Sequence, residues 1–268
     1  MIPLLIILAI LCILLLTALI GRRNTPGLKP LQSWSYAHRG LHGPNAPENS
    51  MAAFRKALEN GFGIELDVHL MKDGKLAVIH DSSLKRTAGM DVKIEDLTAE
   101  DLVNYHLEGT DEQIPLFTDV LSLFGGKAPM IVELKTDNNH VALCEAACNL
   151  LDQYKGIFCL ESFDPRCIIW LRKNRPDLVR GQLAENYLAN PKNKLPVILK
   201  CALGWNLGNF LSRPDFVAYK FADRNHFTVK LCRKFWGIHG VTWTLRTKEE
   251  YDCAVAEGWT PIFENFLP

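Results

Sequence analysis

Seven ionisable side chains each fall at or near the end of a short apolar run. His38 and Arg39 are adjacent in YAHRG, Glu65 and Asp67 alternate in IELDV, His80 follows LAVI, and Glu133 and Lys135 alternate in MIVELK. In an extended strand, residues two apart share a face, so each alternating pair points the same way. Three carboxylates gathered on neighbouring strand ends repel one another unless a cation lies between them. Oxygen-only donors favour a hard ion, Mg2+ or Ca2+, over zinc. Two histidines beside such an ion suit proton transfer near neutral pH. Arg39 supplies a bidentate fork and Lys135 a point charge, the pair a phosphate requires. Together these residues predict metal-assisted displacement at phosphorus. A single carboxylate at a strand end is ordinarily solvated and structural. Seven ionisable groups on three strand ends have no comparable structural reason to be there.

The elements that must position them alternate strand with helix. Strands are predicted at Tyr36–His38, Ile64–His69, Met130–Lys135, Ile157–Glu161, Val179–Leu183, Phe216–Lys220, Val241–Leu245 and Pro261–Phe263, with helical patterns between most of them. Such alternation implies a parallel sheet, and eight units in one domain match a closed (β/α)8 TIM barrel, whose chemistry sits at the C-terminal strand ends. An open doubly wound sheet is the alternative, but no G-x-G-x-x-G follows an early strand. The run IELDVHLMKDGKLAVIHD breaks the alternation. Its Asp73-Gly74 predicts a two-residue type I′ hairpin. That turn sets Lys72 opposite Lys75, Met71 opposite Leu76 and Asp67 opposite His80, which brings the second histidine to the carboxylates. Residues 82–113 then read as an excursion.

The first twenty residues carry no charge and are followed by Arg22, Arg23 and Lys29. About 20 apolar residues suffice to cross a bilayer, so residues 1–21 are expected to form a single transmembrane anchor, 22–33 a linker and 34–268 the catalytic barrel. A signal peptide would open with basic residues and close on small ones, and this segment does neither. The positive-inside tendency then sets the barrel on the cytoplasmic side of the membrane. The 30 basic and 30 acidic residues cancel, and without a basic stripe nucleic acid is not an expected partner. Of the eight cysteines, Cys12 lies in the apolar run, and the other seven, an odd and scattered set, read as reduced thiols. Cys144 and Cys148 are one helical turn apart in an apolar segment and read as packing.

In order and spacing, AHRG, PENS, IELDV, MKDG, IHD and VELK resemble the glycerophosphodiester phosphodiesterase family, and SFDP at Ser162–Pro165 and TWT at Thr242–Thr244 extend the resemblance towards the C-terminus. The resemblance implies a TIM barrel with a small insertion after the second strand, here about residues 68–113. It also implies hydrolysis of glycerophosphodiesters to glycerol 3-phosphate and an alcohol. Carried over by position, His38 and His80 resemble the acid–base pair. Glu65, Asp67 and Glu133 match the ligands of one divalent cation, Mg2+ or Ca2+, while Arg39 and Lys135 match phosphate contacts. Trp243 matches an aromatic wall near the glycerol, and a barrel-core role fits it equally.

Asn49 or Ser50 reads as a helix cap, Glu48 as support for the site, Phe163 as pocket wall and Lys220 as an inward candidate. His69, His42 and the remaining histidines are left outside the site. The family usually closes on G-I-I-T-D-x-P, whereas this chain has PIFENFLP, with Asn265 where aspartate is common. An apolar anchor also admits a lysophospholipid substrate, a lysophospholipase D activity, for which residues 82–113 are the expected apolar approach. A catalytically silent, membrane-tethered binding barrel is the rival of another class, but it predicts an eroded site. Headgroup and oligomeric state are left open.

Overall fold

The strand–helix alternation closes on itself. The computed structural model describes all residues except Met1, Asn24, Asp137 and Lys192, and Ile2 by its backbone alone. The strands are β1 (Tyr36–His38), β2 (Gly63–Leu70), β3 (Leu76–Val78), β4 (Met130–Leu134), β5 (Phe158–Ser162), β6 (Arg180–Ala184), β7 (Phe216–Lys220), β8 (His239–Leu245) and β9 (Thr260–Phe263). They form one nine-stranded sheet in which β1 pairs in parallel with both β2 and β9. β3 is an antiparallel arm on the edge of β2, and the other strands make the parallel barrel. All eight barrel strands expected from the sequence are present, displaced by at most two residues.

The helices are α1 (Ile2–Ala18), α2 (Lys29–Gln32), α3 (Met51–Glu59), α4 (Lys85–Ala88), α5 (Phe117–Phe124), α6 (His140–Leu151), α7 (Pro165–Asn174), α8 (Val197–Gly204), α9 (Asn209–Ser212), α10 (Phe227–Lys234) and α11 (Lys248–Ala256). Ser50 starts α3 by accepting the Ala53 amide at 3.1 Å, and Ala53, Phe54 and Ala57 form its buried face. A serine in that position satisfies an amide that the first helical turn leaves unpaired.

Period-two alternation divides the barrel strands into an apolar outer face and an inner face of two layers. Ile64, Leu66, Val68, Met130, Val132 and Leu134 pack outward with Phe54, Val120 and Leu143 of the helices. Inside, Tyr36, Ile131, Cys159, Phe216, Val241 and Ile262 fill the lower barrel, and Leu31 closes it from below. Residues 22–33, read as a linker, thus contribute to the barrel floor. Above this apolar layer the inward positions turn polar. The excursion after β3 has its own small core, including Leu84, Ile94, Leu97, Leu102 and Leu107, shared with Met71 and Ile79.

Two expectations are corrected. The β2–β3 register pairs Leu70 with Leu76 and Val68 with Val78, so three residues, Lys72 to Gly74, make the turn. Gly74 adopts φ +81°, a left-handed conformation that glycine enters without steric cost. Continued by one step, that register pairs Asp67 with Ile79 rather than His80, and the Ile79 amide donates to the Asp67 carbonyl at 3.1 Å. The second correction concerns the expected span over residues 1–21. Helix α1 has 17 residues, about 25 Å of rise against a bilayer core of about 30 Å. Among the described residues, no helix is long and apolar enough to cross a membrane. The helix stops at Ala18 because the chain then belongs to the barrel: Leu19 is buried with Val217, Cys232 and Ile238, and Arg22 pairs with Asp215. Pro3 to Leu14 are exposed all round.

Candidate active site

The polar upper layer is built by register. His38 lies beside Glu65 across the β1–β2 pair, and Asp67, Glu133 and Glu161 lie in a row across β2, β4 and β5. Glu65, Asp67 and Glu133 are almost fully buried, and each offers an oxygen within 4.8 Å of the other two. Lys135 Nζ lies 2.8 Å from Glu133 Oε1 and 3.1 Å from Asp67 Oδ1. Arg39 Nε lies 3.4 Å from Asp67, its Nη1 lies 2.9 Å from Glu48, and its backbone amide donates to Glu65 at 3.2 Å.

The electrostatics of this cluster split its three acids. Burial, then the charges of Asp67 and Glu133, push Glu65 well above the ordinary carboxylate range. Burial raises Glu133 to about 7, although Lys135 opposes it. Burial also works against ionised Asp67, but Lys135, His80 and Arg39 outweigh it and hold that carboxyl well below its usual value. Two acids pushed toward neutrality in an all-oxygen donor set fit a hard divalent cation, whose charge would restore both to the ionised form.

Both sequence-predicted histidines reach this layer, each held by a carboxylate. His38 Nε2 lies 3.9 Å from Glu65, and its Nδ1 is 2.5 Å from Glu264 Oε2. Burial lowers the His38 pKa, and the bond to Glu264 works the other way. His80 Nδ1 lies 2.7 Å from Asp81, and burial lowers its pKa to about 4. Despite the corrected register, His80 is near enough for its charge to act on Asp67: β3 ends at Val78, the Ile79 amide still bonds the Asp67 carbonyl, and His80 lies one residue beyond that bond. His69 fixes the exit from β3: its Nε2 bonds the His80 carbonyl at 3.1 Å while its Nδ1 bonds Glu95 at 2.7 Å.

Trp243 joins the group through Phe163. The two rings meet edge to face with centroids 5.5 Å apart, and Lys135 Nζ lies 5.8 Å from the Phe163 centroid. Trp243 Nε1 is buried and has no hydrogen-bond partner among the described residues. Lys220 pairs with Glu185 at 3.0 Å instead of entering the carboxylate cluster.

Four neighbours of the site were not assigned to it from the sequence. Asn49, read as a cap, donates Nδ2 to Asp67 Oδ2 at 2.8 Å with φ +57°. Glu264 grips His38, and His42 Nε2 lies 3.6 Å from the same oxygen. Glu161 is buried, and burial raises its pKa well above the usual range. The period-two rule applied to CLES and PIFE points Glu161 and Glu264 inward, a signal present in the sequence. Asn49 carried no such signal, since its role depends on a left-handed turn.

A profile of the glycerophosphoryl diester phosphodiesterase family matches residues 38–267. The chain belongs to this family. A glycerophosphodiester phosphodiesterase of Bacillus altitudinis is 42% identical over 111 residues, covering 39% of this chain and 45% of that protein. Lysophospholipase D GDPD1 of Rattus norvegicus is 37% identical over 132 residues, covering 44% of this chain and 41% of its own. The matched stretch thus spans less than half the length of these two relatives. A phosphodiesterase of Oleispira antarctica, solved with its product sn-glycerol-3-phosphate, shares the fold with a TM-score of 0.72 at 21% identity, over 91% of this chain and 95% of its own. A Thermotoga maritima glycerophosphodiester phosphodiesterase gives 0.65 at 26% identity, over 86% and 93%.

Proposed function

We propose that this member of the glycerophosphoryl diester phosphodiesterase family hydrolyses glycerophosphodiesters to glycerol 3-phosphate and an alcohol. The observation that carries the reading is the single polar layer in which two carboxylate-held histidines flank a buried acidic trio faced by Arg39 and Lys135. Glu65, Asp67 and Glu133 would hold one divalent cation, Mg2+ or Ca2+. Bound there, it would supply positive charge to the phosphodiester as charge builds on it. Arg39 and Lys135 bind the phosphate oxygens and orient the diester for attack. One of His38 and His80 takes the proton from the attacking oxygen, and the other gives a proton to the departing alcohol. The attacking oxygen belongs to water, which gives glycerol 3-phosphate directly, or to the neighbouring glycerol hydroxyl, which expels the alcohol and leaves a cyclic phosphate that water then opens to glycerol 3-phosphate. Trp243, with its free indole N–H, walls the glycerol side.

A lysophospholipid substrate is the second reading, and the name of the rat relative supports it. The expected apolar approach over residues 82–113 offers few large exposed apolar side chains, Met90 and Val103. The connection after β6 offers more: Leu188, Leu195, Val197 and Ile198 are exposed, Ile198 by 82%. Helix α8 returns to the barrel at Gly204, whose carbonyl accepts the Tyr219 hydroxyl. An acyl chain lying on that surface would leave its headgroup at the mouth.

Helix α1, apolar on every side, is proposed to insert into a bilayer, since a helix without a polar face is otherwise buried in protein. Arg23 and Lys29 behind it favour the cytoplasmic side for the barrel, which protease accessibility in sealed vesicles tests. Product analysis tests the catalytic reading. Glycerophosphocholine should yield glycerol 3-phosphate and choline, and phosphocholine as product would overturn it. Faster release of choline from lysophosphatidylcholine would select the second reading.

A further inference from the structure

The end of the barrel opposite the carboxylates carries a second site. A cavity of about 1100 Å3 opens at the floor, lined by Arg22, Lys29, Arg224, Lys230, Arg233 and Lys234, with Asp215 and Glu257 as its carboxylates. Arg22 takes Asp215, and Arg224 takes Glu257 at 3.0 Å. Arg233 stacks on Trp259 with its guanidinium 3.8 Å from the ring centroid and donates to the Glu257 and Gly258 carbonyls. Among the described residues, Lys29, Lys230 and Lys234 have no carboxylate partner. The cavity therefore holds a surplus of positive charge in a concave wall, an arrangement that concentrates anions.

Its neighbours indicate where the anion comes from. The cavity wall includes Ile238, which also packs in the seat of α1, and Arg22, which follows α1 by four residues in the chain. Trp236 Nε1 donates to the Leu16 carbonyl at 2.8 Å, and Leu19 packs on Ile238 and Cys232. Around that seat, Phe210, Leu211 and Phe235 are exposed, and Trp236 is half-buried. Aromatic side chains at a helix's point of exit are suited to the level of lipid headgroups. An apolar helix, an aromatic collar and a cationic cavity thus coincide at one end of the molecule.

We propose that the floor cavity binds the phosphate headgroup of an anionic phospholipid in the bilayer that α1 enters, so that the barrel stands on the membrane with its catalytic mouth turned away. The membrane reading of α1 underlies the choice of a lipid over a soluble phosphate. The arrangement leaves the mouth open to water-soluble diesters while the floor is tethered.

The test is co-flotation of the full chain with vesicles of phosphatidylcholine alone and of phosphatidylcholine with phosphatidylglycerol. The variants are Lys230→Ala/Lys234→Ala and, as a control of equal charge on the β2–β3 turn, Lys72→Ala/Lys75→Ala. Wild type and control should bind the anionic vesicles more tightly than the neutral ones. The floor variant should lose roughly thirtyfold on the anionic vesicles and nothing on the neutral ones. Salt at about 1 M should erase the difference. Failure to bind neutral vesicles, with the anionic binding still lost in the floor variant, would remove α1 insertion and keep the headgroup site. Equal binding to both vesicles, or equal losses in the two variants, would overturn the proposal. So would protection against thermal unfolding by inorganic phosphate, lost in the floor variant, without preference for anionic vesicles.

Discussion

Asn49→Ala isolates how the site is held open. Asn49 is buried, sits at φ +57° and donates to Asp67 Oδ2 at 2.8 Å. Its backbone amide donates to the carbonyl of Arg39, itself at φ +53°, so the two left-handed residues brace one loop. Alanine removes a hydrogen bond to an ionised carboxylate, worth about 1.5–3 kcal/mol. It also keeps a left-handed conformation that costs alanine about 1 kcal/mol more than asparagine, which tolerates it through its short polar side chain. The summed loss is about 2.5–4 kcal/mol, read by urea unfolding in chelator. Because the lost donor orients a carboxylate that we assign to the cation, the dissociation constant for Mg2+ or Ca2+ should rise about 10–100-fold by calorimetric titration. Stability within about 0.5 kcal/mol of wild type, with unchanged ion affinity, would refute the role given to this loop.

Other consequences are equally direct. Glu264→Gln should lower kcat by about tenfold or more with little change in KM, because His38 loses the carboxylate on its Nδ1; proton transfer as a whole supplies about 10²–10⁴. An unchanged kcat would leave Glu264 as a structural neighbour only. His239, bonded to Thr260 at 2.8 Å, has its pKa lowered to about 4, first by burial and then by Arg233. Its unfolded value is about 6.5, so the unfolded chain binds the proton more readily between those values. Stability from this residue is complete above pH 6.5 and falls by up to about 3 kcal/mol as pH drops to 4. His239→Gln should flatten that part of the unfolding profile, and an unaltered slope would count against it. Ser50→Ala should cost about 1 kcal/mol by loss of the α3 cap, seen as a lower urea midpoint at unchanged m-value.

The polar layer proposed as the active site was legible in the sequence because its geometry is local. Period-two alternation put Glu65 with Asp67 and Glu133 with Lys135, and the structure keeps both pairs. His80 was reached by a register that is off by one. A three-residue turn replaces the expected two-residue one, and the histidine arrives because β3 ends early and His69 holds the exit. Asp73-Gly74 promised a turn, but the identity of those two residues does not say whether Lys72 joins it. Glu264 went unread because the closing motif departs from the family pattern, which drew attention to Asn265 instead. The length of α1 failed for a different reason: hydropathy cannot distinguish a leucine facing lipid from Leu19, which is buried by β7 and α10. The floor cavity was invisible because its cations come from residues 22–29 and from the segment around α10, far apart in sequence and joined only by closure of the barrel.

The central claim is that one acidic cluster and two histidines act together on a phosphodiester. The measurement is release of glycerol 3-phosphate from glycerophosphocholine by the full chain, with Mg2+, with Ca2+ and with chelator, alongside folded His38→Ala and His80→Ala proteins. The account predicts turnover that requires the added ion and falls at least about 100-fold in each variant. Turnover that persists in chelator, or that survives in either histidine variant at the wild-type rate, would contradict it.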